Sequence, residues 1–527
     1  MSMRCLPAAD NAVLVELADL DQTLSLFASL QAQPIAGVTE IVPGARTLLI
    51  TFDVWQLNQA MLVQELARRP LDQVGTAAGE WVEIPVYYDG EDLDEVAALL
   101  GISPQEVVQR HTGHEWRVAF TGFAPGFAYM SGGDALLRQV PRRSTPRTRL
   151  PAGAVAVAGG FSGIYPKASP GGWHILGQTL VPMWDMQRDP PALLQPGARV
   201  RFVDAGARPA QVTVERAAVP TKAQTVRAPA IEIANTGPQA LLQDLGRPGQ
   251  ARLGLGLSGA VDRGSLRAAN RLVGNAVDTA CMESAQGGLE LLSHGNNVVA
   301  VTGADGPLTL TARSGQRWAV PRHTPLALGE GDRLRVGEPH TGMRSYVAVR
   351  GGWDVAPVLG SCAYDSLAQV GPPPLVAGQQ LAVRAPQTAA VVGPVQEAGA
   401  TWPAPDDLVT LDVHLGPRAD WFTPEALALL GEQEWTVTPE SNRIGVRVKG
   451  AHALTRTIKG ELPSEGTATG AIQVPASGQP VLFLADHPLT GGYPVIGWVA
   501  AHQLDLLGQL PVGARLRFRV LDEQTSK

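Results

Sequence analysis

One seven-residue pattern occurs twice in this chain of 527 residues, and nothing else in the sequence limits its fold so strongly. Gly171-Gly172-Trp173-His174-Ile175-Leu176-Gly177 and Gly491-Gly492-Tyr493-Pro494-Val495-Ile496-Gly497 both read Gly-Gly-aromatic-x-aliphatic-aliphatic-Gly. Each copy is followed by a strand of one design, Gly197-Ala198-Arg199-Val200-Arg201-Phe202 in the first half and Gly513-Ala514-Arg515-Leu516-Arg517-Phe518 in the second. Each is preceded by a Gly-Ala step into an apolar strand, at Gly153-Ala154 and Gly470-Ala471. Three signals kept in order point to a duplicated domain. Two copies are too few for a solenoid, which needs about three or more stacked repeats.

The length agrees, since at about 150 residues per domain the chain should hold roughly three to four cores. No stretch approaches the ~18 apolar residues of a membrane span, and Met1 to Asp19 lacks the basic start and apolar core of a secretory signal, so a cytoplasmic protein is expected. Cys5, Cys281 and Cys362 are scattered without metal spacing, as reduced thiols would be, and Cys281 and Cys362 are expected as buried small hydrophobes. A net charge of -7 without a dense Lys/Arg run argues against a nucleic-acid partner.

The expected fold class is α+β, mainly β. Residues 1–79 alternate short strands with amphipathic helices and form a small α+β unit. Residues 80–204 follow, with a capping box at Ser103-Pro104-Gln105-Glu106 and then short strands and Gly/Pro turns that favour a barrel-like body. An Ala/Arg/Pro/Thr-rich linker is expected over 205–230, a further unit over 231–385, a Pro/Ala-rich break over 386–405 and a last unit over 406–527. Within the third, Asp262 should cap a helix with the stripe Leu266, Ala269, Leu272 and Val273, stopped by Gly274.

Glycines and proline spaced between aromatics at Thr121 to Tyr129 can bring backbone N–H groups against a ligand, or can simply anchor a core. The loop from Gly163 to His174 adds hydroxyls, a cation and an imidazole. In the last unit Arg443 precedes an apolar strand, Glu465 sits in a Ser/Thr/Gly turn, and Asp486-His487 follows the strand Val481 to Ala485. An acid and imidazole at a strand end suit general acid/base work, although Asp486 and Arg443 could equally form a structural ion pair. Gly254 to Gly259 satisfies G-x-G-x-x-G, but no strand leads into it, so a dinucleotide site is not expected. No Walker-type motif and no Met-Lys-Met biotin attachment site is present.

These loops carry a resemblance that covers nearly the whole chain. Through GFAPGFAYM, PRTRLPAGAVAVAGG and GIYPKASPGGWHILGQT the first part resembles the allophanate hydrolase subunit 1 family, understood as the B component of 5-oxoprolinase. Through QDLGRPG, SGAVDRGSLRAANRLVGN, VRGGWDV, SNRIGVRVKG and GAIQVPASGQPVLFLADHPLTGGYPVIG the second resembles the allophanate hydrolase subunit 2 family, or the C component of 5-oxoprolinase. The chain thus resembles a B–C fusion. Paired modules of this kind also form the carboxyltransferase portion of urea carboxylase, and relatives of the B component include an inhibitor of a sporulation histidine kinase. The resemblance implies two related cyclophilin-like β-barrel halves, each with smaller α+β subdomains. It also implies ATP (with Mg) as co-substrate, the separate A component of 5-oxoprolinase as partner, a lactam or amide substrate, and no bound biotin; self-association is left open.

The matching loops supply the candidate site residues. By residue type, Asp486 or Glu465 would be the base, and Arg443, His174 and glycine-loop amides the donors to a developing oxyanion. Substrate contacts would come from Gly126, Phe127, Tyr129, Tyr165, Ser169, Gly171, Gly172, Trp173, Asp262, Asn270, Gln473, His487, Thr490 and Tyr493. Met282 to Gly288 and Pro488-Leu489 depart from the usual family pattern, which bears on specificity. Two further expectations are that the Trp173-His174 and Asp486-His487 loops face one shared cleft, and that Asp486 matters for turnover more than for folding.

Overall fold

The computed structural model describes residues 3–71, 79–143, 145–207, 229–386, 390–395, 401–460 and 462–521. Most of the expected linker, the end of the first unit and part of the 386–405 break lie outside the described residues. Strands Arg4–Ala9, Ala12–Glu16, Val38–Pro43 and Thr47–Phe52 form a four-stranded antiparallel sheet, with the last strand between the second and third. Val13, Val15, Leu48 and Ile50 bury one face of it under Leu26 and Leu30 of helix Leu20–Ala32 and Leu62 and Leu66 of helix Gln59–Leu66. On the opposite face Ala12, Leu14, Val42 and Leu49 pack against Ala251 and Leu489, so the second half of the chain completes this core.

The duplication is a duplication of barrels. In the first, Trp81–Val86 pairs in parallel with Arg199–Asp204, and the sheet continues through Trp116–Thr121, Ala128–Gly132, Phe161–Ile164, Ala154–Ala158 and His174–Gln178. A bridge from Tyr87 to Gln178 returns the last strand to the first. In the second, Leu408–Leu415 pairs in parallel with Arg515–Val520, followed by Trp435–Val437, Gly445–Gly450, Val481–Phe483, Ala471–Gln473 and Val495–Val499, which closes on Leu408–Leu415. The two orders are the same. Each barrel carries one capped helix, Pro104–Thr112 behind Ser103 and Pro424–Glu432 behind Thr423. Each buries a tryptophan whose indole N–H donates to a carbonyl five residues earlier, Trp116 to His111 and Trp435 to Leu430, both at 3.1 Å.

The repeated heptad has a backbone cause. Strand pairing slips by one residue between Ile175 and Gly177 and between Val495 and Gly497, so Leu176 and Ile496 are the extra residues of equivalent β-bulges, and both are fully buried. The glycine after each bulge lies where the strand crosses back over the first strand of its barrel. A Cβ at Gly177 would come within 2.2 Å of Tyr87 O, and one at Gly497 within 2.5 Å of His414 O. Only glycine allows that approach.

Between the barrels in sequence, residues 230–383 form a larger unit of two packed sheets, six- and five-stranded, closing over Ile231, Leu242, Leu291, Val301, Leu334 and Val347. Helix Arg263–Val273 lies on the five-stranded sheet through Leu266, Ala269, Leu272 and Val273, the stripe read from the sequence. Asp262 Oδ1 accepts from Ser265 N at 2.8 Å, and Gly274 ends the helix at φ +70°. No described helix is long and apolar enough to cross a membrane.

Candidate functional site

Two loops of the sandwich unit bring the barrels together. The first runs from Gln243 to the helix at Arg263. Thr121 Oγ1 of the first barrel donates to Ala251 O and Arg252 O at 3.0 Å, Gly126 N donates to Leu253 O at 3.0 Å, and Ser258 Oγ donates to Asp486 Oδ1 of the second barrel at 2.6 Å. Only a 3-10 turn, Ala251–Leu253, precedes Gly254, in keeping with the rejection of a dinucleotide site there. The second loop, 363–371, is gripped from both sides. Lys167 of the first barrel donates through Nζ to Leu367 O, while Asp486 of the second accepts from Ser366 N at 2.8 Å and Ser366 Oγ at 2.7 Å.

Asp486 is occupied at this junction. Besides the two serines it receives Arg443 Nε at 2.9 Å and Nη2 at 3.0 Å, a bidentate pair with both side chains buried. Burial opposes its charge, but Arg443 and the serine hydrogen bonds outweigh it and hold the carboxyl below the usual range. Arg443 also donates to Glu283 and to Gly259 O, and Glu283 accepts from Tyr346 OH at 2.8 Å. A carboxylate with its lone pairs filled and its proton affinity lowered is a poor base, so this is the geometry of the structural ion pair. This geometry weighs against the expectation that Asp486 matters more for turnover than for folding.

Its neighbour is shifted the opposite way. Asp365 is 4 % exposed, and burial followed by repulsion from Asp486 pushes its carboxyl up to about 7, against a hydrogen bond from Ala368 N at 2.7 Å and the charges of Arg247 and Arg443. Two adjacent carboxylates whose surroundings drive them apart divide into a fixed anion and a group that exchanges a proton near neutrality. Burial lowers the Lys167 ammonium, with Asp365 working against the shift. Arg247 is 1 % exposed and held lower than usual by burial, with Asp365 again opposing. Asp365 and Arg247 are not among the candidates read from the sequence, and Lys167 enters there only as the cation of its loop, with no role. Asp365 lies in an unpatterned stretch, whereas Arg247 and Lys167 sit inside quoted motifs.

Glu465 and His174 stand apart from this junction. Glu465 Oε2 accepts from Arg418 Nε at 2.9 Å and Nη2 at 2.7 Å, and Arg418 also reaches Glu16 Oε1 at 2.9 Å, tying the second barrel to the N-terminal sheet. Burial raises the Glu465 carboxyl against the pull of Arg418, and its Oε1 has no partner. His174 faces helix Leu93–Leu100, 3.9 Å from Glu95, and burial lowers its imidazole. It is not brought to Asp486; the contact from this part of the chain to the Asp486 junction is made by Lys167 of the preceding loop. Among the described residues, Asp92, Glu95 and His174 alone are close enough to share an ion. Arg143 and Arg147 already bind both oxygens of Asp92, and Arg143 binds Glu95, so the set does not suit a divalent metal.

The aromatic loop residues are core. Phe127, Tyr129, Tyr165 and Trp173 are buried and meet edge to face at 5.0–5.5 Å, with Phe120, Phe123 and Phe161 around them. This is the anchoring alternative for that loop; besides the bonds of Thr121 and Gly126 given above, it contacts the second half through Phe123 N to Thr490 Oγ1 at 3.0 Å and Ser464 Oγ to Tyr129 OH at 3.3 Å. Gly126 has φ +75°, Gly171 lies against Tyr165 OH, Gly172 against Pro146, and Ser169 is in the strand beside Leu150. Asp262 is the helix cap, and Asn270 is a buried bracket donating to Thr279 O at 2.7 Å and Cys281 Sγ at 3.3 Å. Gln473 donates to Tyr493 O, His487 stacks on Phe483 beside Thr467, and Tyr493 is exposed under Arg456. Cys281 is buried as expected; Cys362 is only half-buried.

The same organisation recurs in known proteins. The carboxyltransferase domain, subdomain C and D, matches residues 3–194, and the carboxyltransferase domain, subdomain A and B, matches residues 253–520. The chain belongs to the carboxyltransferase-domain family. Its first part is 36% identical over 212 residues to the B component of 5-oxoprolinase from Haemophilus influenzae, spanning 39% of this chain and 99% of that protein. Its second part is 32% identical over 291 residues to the C component of 5-oxoprolinase from Escherichia coli, spanning 55% of this chain and 90% of the other. The crystal structure of TTHA0988 superposes with a TM-score of 0.81 at 35% identity over 96% of this chain and 99% of that one. The Kluyveromyces lactis urea amidolyase structure matches with a TM-score of 0.50 at 28% identity, over 56% of this chain but 19% of that protein. This carboxyltransferase-family chain therefore joins a B-like and a C-like part, as a fusion of the two components would.

Proposed function

We propose that the chain is the B–C component of an ATP-dependent 5-oxoprolinase, opening the lactam of 5-oxoproline to glutamate together with a separate A component. The supporting observation is that the B-like and C-like parts, each matching nearly the whole of a 5-oxoprolinase component, meet at one polar junction built from both. In the net reaction one water adds across the lactam C–N bond and another across the terminal phosphoanhydride of ATP. The lactam nitrogen must gain a proton as it leaves, and a carboxyl held near neutrality at Asp365 is suited to deliver it. Lys167 is placed beside it to stabilise negative charge on oxygen. Arg443 holds Asp486 ionised, and burial together with that fixed charge raises the Asp365 carboxyl to about 7. No residue here is assigned to the nucleotide.

The test is phosphate release from ATP with each component omitted in turn. Release should require this chain, the A component and 5-oxoproline together, and 5-oxoproline turnover by this chain alone would overturn the reading. A second reading, transfer of a carboxyl group to a urea-like amide, is favoured by the likeness to urea amidolyase. It predicts activity only when a biotin carboxylase and its biotinylated carrier are supplied with urea.

A further inference from the structure

Arg247 is buried without a counter-ion of its own. Its Nη2 donates to Ala363 O and, at 3.4 Å, to Val370 O, whereas Nε and Nη1 have no hydrogen-bond partner. Arg443, Arg418 and Arg344 are deeply buried as well, but each lies within ion-pair distance of a carboxylate. The acids whose charge reaches Arg247 bond elsewhere. Asp244 accepts from Gly246 N at 2.8 Å and from Ser361 Oγ and Cys362 N at 2.6 Å, Asp365 accepts from Ala368 N, and Asp486 is paired with Arg443. A guanidinium cannot shed its charge to escape burial, so such a position calls for an anion.

A second cation grips the same loop. Lys167, half-buried, uses one of its three N–H donors on Leu367 O. Arg247 thus holds both ends of 363–370 and Lys167 its middle, with Asp365 inside the loop. We infer that Arg247 and Lys167 form a carboxylate-binding clamp at the junction, which selects acidic lactams or amides over neutral ones. The inference rests on the function proposed above, since 5-oxoproline carries a carboxylate on the carbon next to its lactam nitrogen, and glutamate keeps that carboxylate next to the freed amine. A planar carboxylate with two acceptor oxygens matches a guanidinium edge better than any neutral group does.

The test is calorimetric titration of 5-oxoproline, of 2-pyrrolidinone, which is the same ring without the carboxylate, and of inorganic phosphate into the full chain with the A component. Wild type, Arg247→Gln and Lys167→Met are compared. Wild type should bind 5-oxoproline about 10- to 100-fold tighter than 2-pyrrolidinone, the worth of a charge-assisted pair. Arg247→Gln should abolish that preference and Lys167→Met narrow it. The thermal midpoint of Arg247→Gln is recorded alongside, because the variant also removes the donor to Ala363 O and Val370 O. Absence of a preference in wild type, or its full retention in Arg247→Gln, overturns the clamp. If Arg247→Gln does not fold, Lys167→Met on the half-buried side decides, and a full preference there overturns it. Phosphate binding that is tighter than 5-oxoproline and lost in Arg247→Gln also overturns it, in favour of a phosphate subsite. Failure of the proposed reaction reads differently, as no 5-oxoproline-dependent phosphate release while the binding preference persists.

Discussion

Asp365 and Asp486 bring one functional group to one junction and are shifted in opposite directions by what surrounds them. Asp486 has Arg443 and two serines, whereas Asp365 has one backbone N–H and a neighbouring negative charge. That difference has a stability signature. In the folded chain Asp365 titrates near 7, against 3.8 for an unperturbed aspartate, so between those values the folded state binds more protons than the unfolded one. Its contribution to stability is therefore fully present below about pH 4 and is lost as pH rises toward about 7. Urea midpoints of wild type and Asp365→Asn measured from pH 4 to 8 should diverge, the variant gaining relative to wild type as pH rises. Parallel profiles would mean that Asp365 is ionised like an ordinary aspartate.

At the scale of elements, the repeated heptad is legible because its cause is local. A bulge followed by a glycine that must pass close to another strand leaves the same residues wherever the barrel closes. Gly177→Ala should clash with Tyr87 O and cost about 1–3 kcal/mol, read from a denaturant midpoint, and a cost near zero would show that the strand can shift. The cap at Ser103 and the apolar stripe of the Arg263–Val273 helix are local in the same sense and are readable from the residues alone. Period two is the signal that limits the site. Neighbouring strand residues point to opposite faces, so Trp173 and His174 do not both face one cleft: Trp173 joins the aromatic cluster, and His174 turns to Asp92 and Glu95.

At the scale of the whole molecule, the junction depends on pairings with no local trace. Lys167 meets Leu367 across 200 positions of sequence, and Ser258 meets Asp486 across 228. The Asp365 loop has neither period nor repeat, so its residues could not be singled out, while Asp486 stands out at a strand end and Glu465 in a Ser/Thr/Gly turn, and both turn out to be paired with arginine. Their arginine partners fasten one unit to another, Arg443 the second barrel to the sandwich through Glu283 and Arg418 the same barrel to the N-terminal sheet through Glu16. The most direct measurement compares Asp365→Asn and Asp486→Asn for thermal midpoint and for 5-oxoproline-dependent turnover with the A component. Asp365→Asn should keep or raise the midpoint and lose about 10²–10⁴ in turnover, as loss of a general acid does. Asp486→Asn should lower the midpoint sharply, because breaking one side of a buried pair costs about 3–5 kcal/mol, with activity falling in proportion. Near-normal turnover in Asp365→Asn beside an inactive Asp486→Asn of unchanged midpoint would contradict this account and return the chemistry to Asp486.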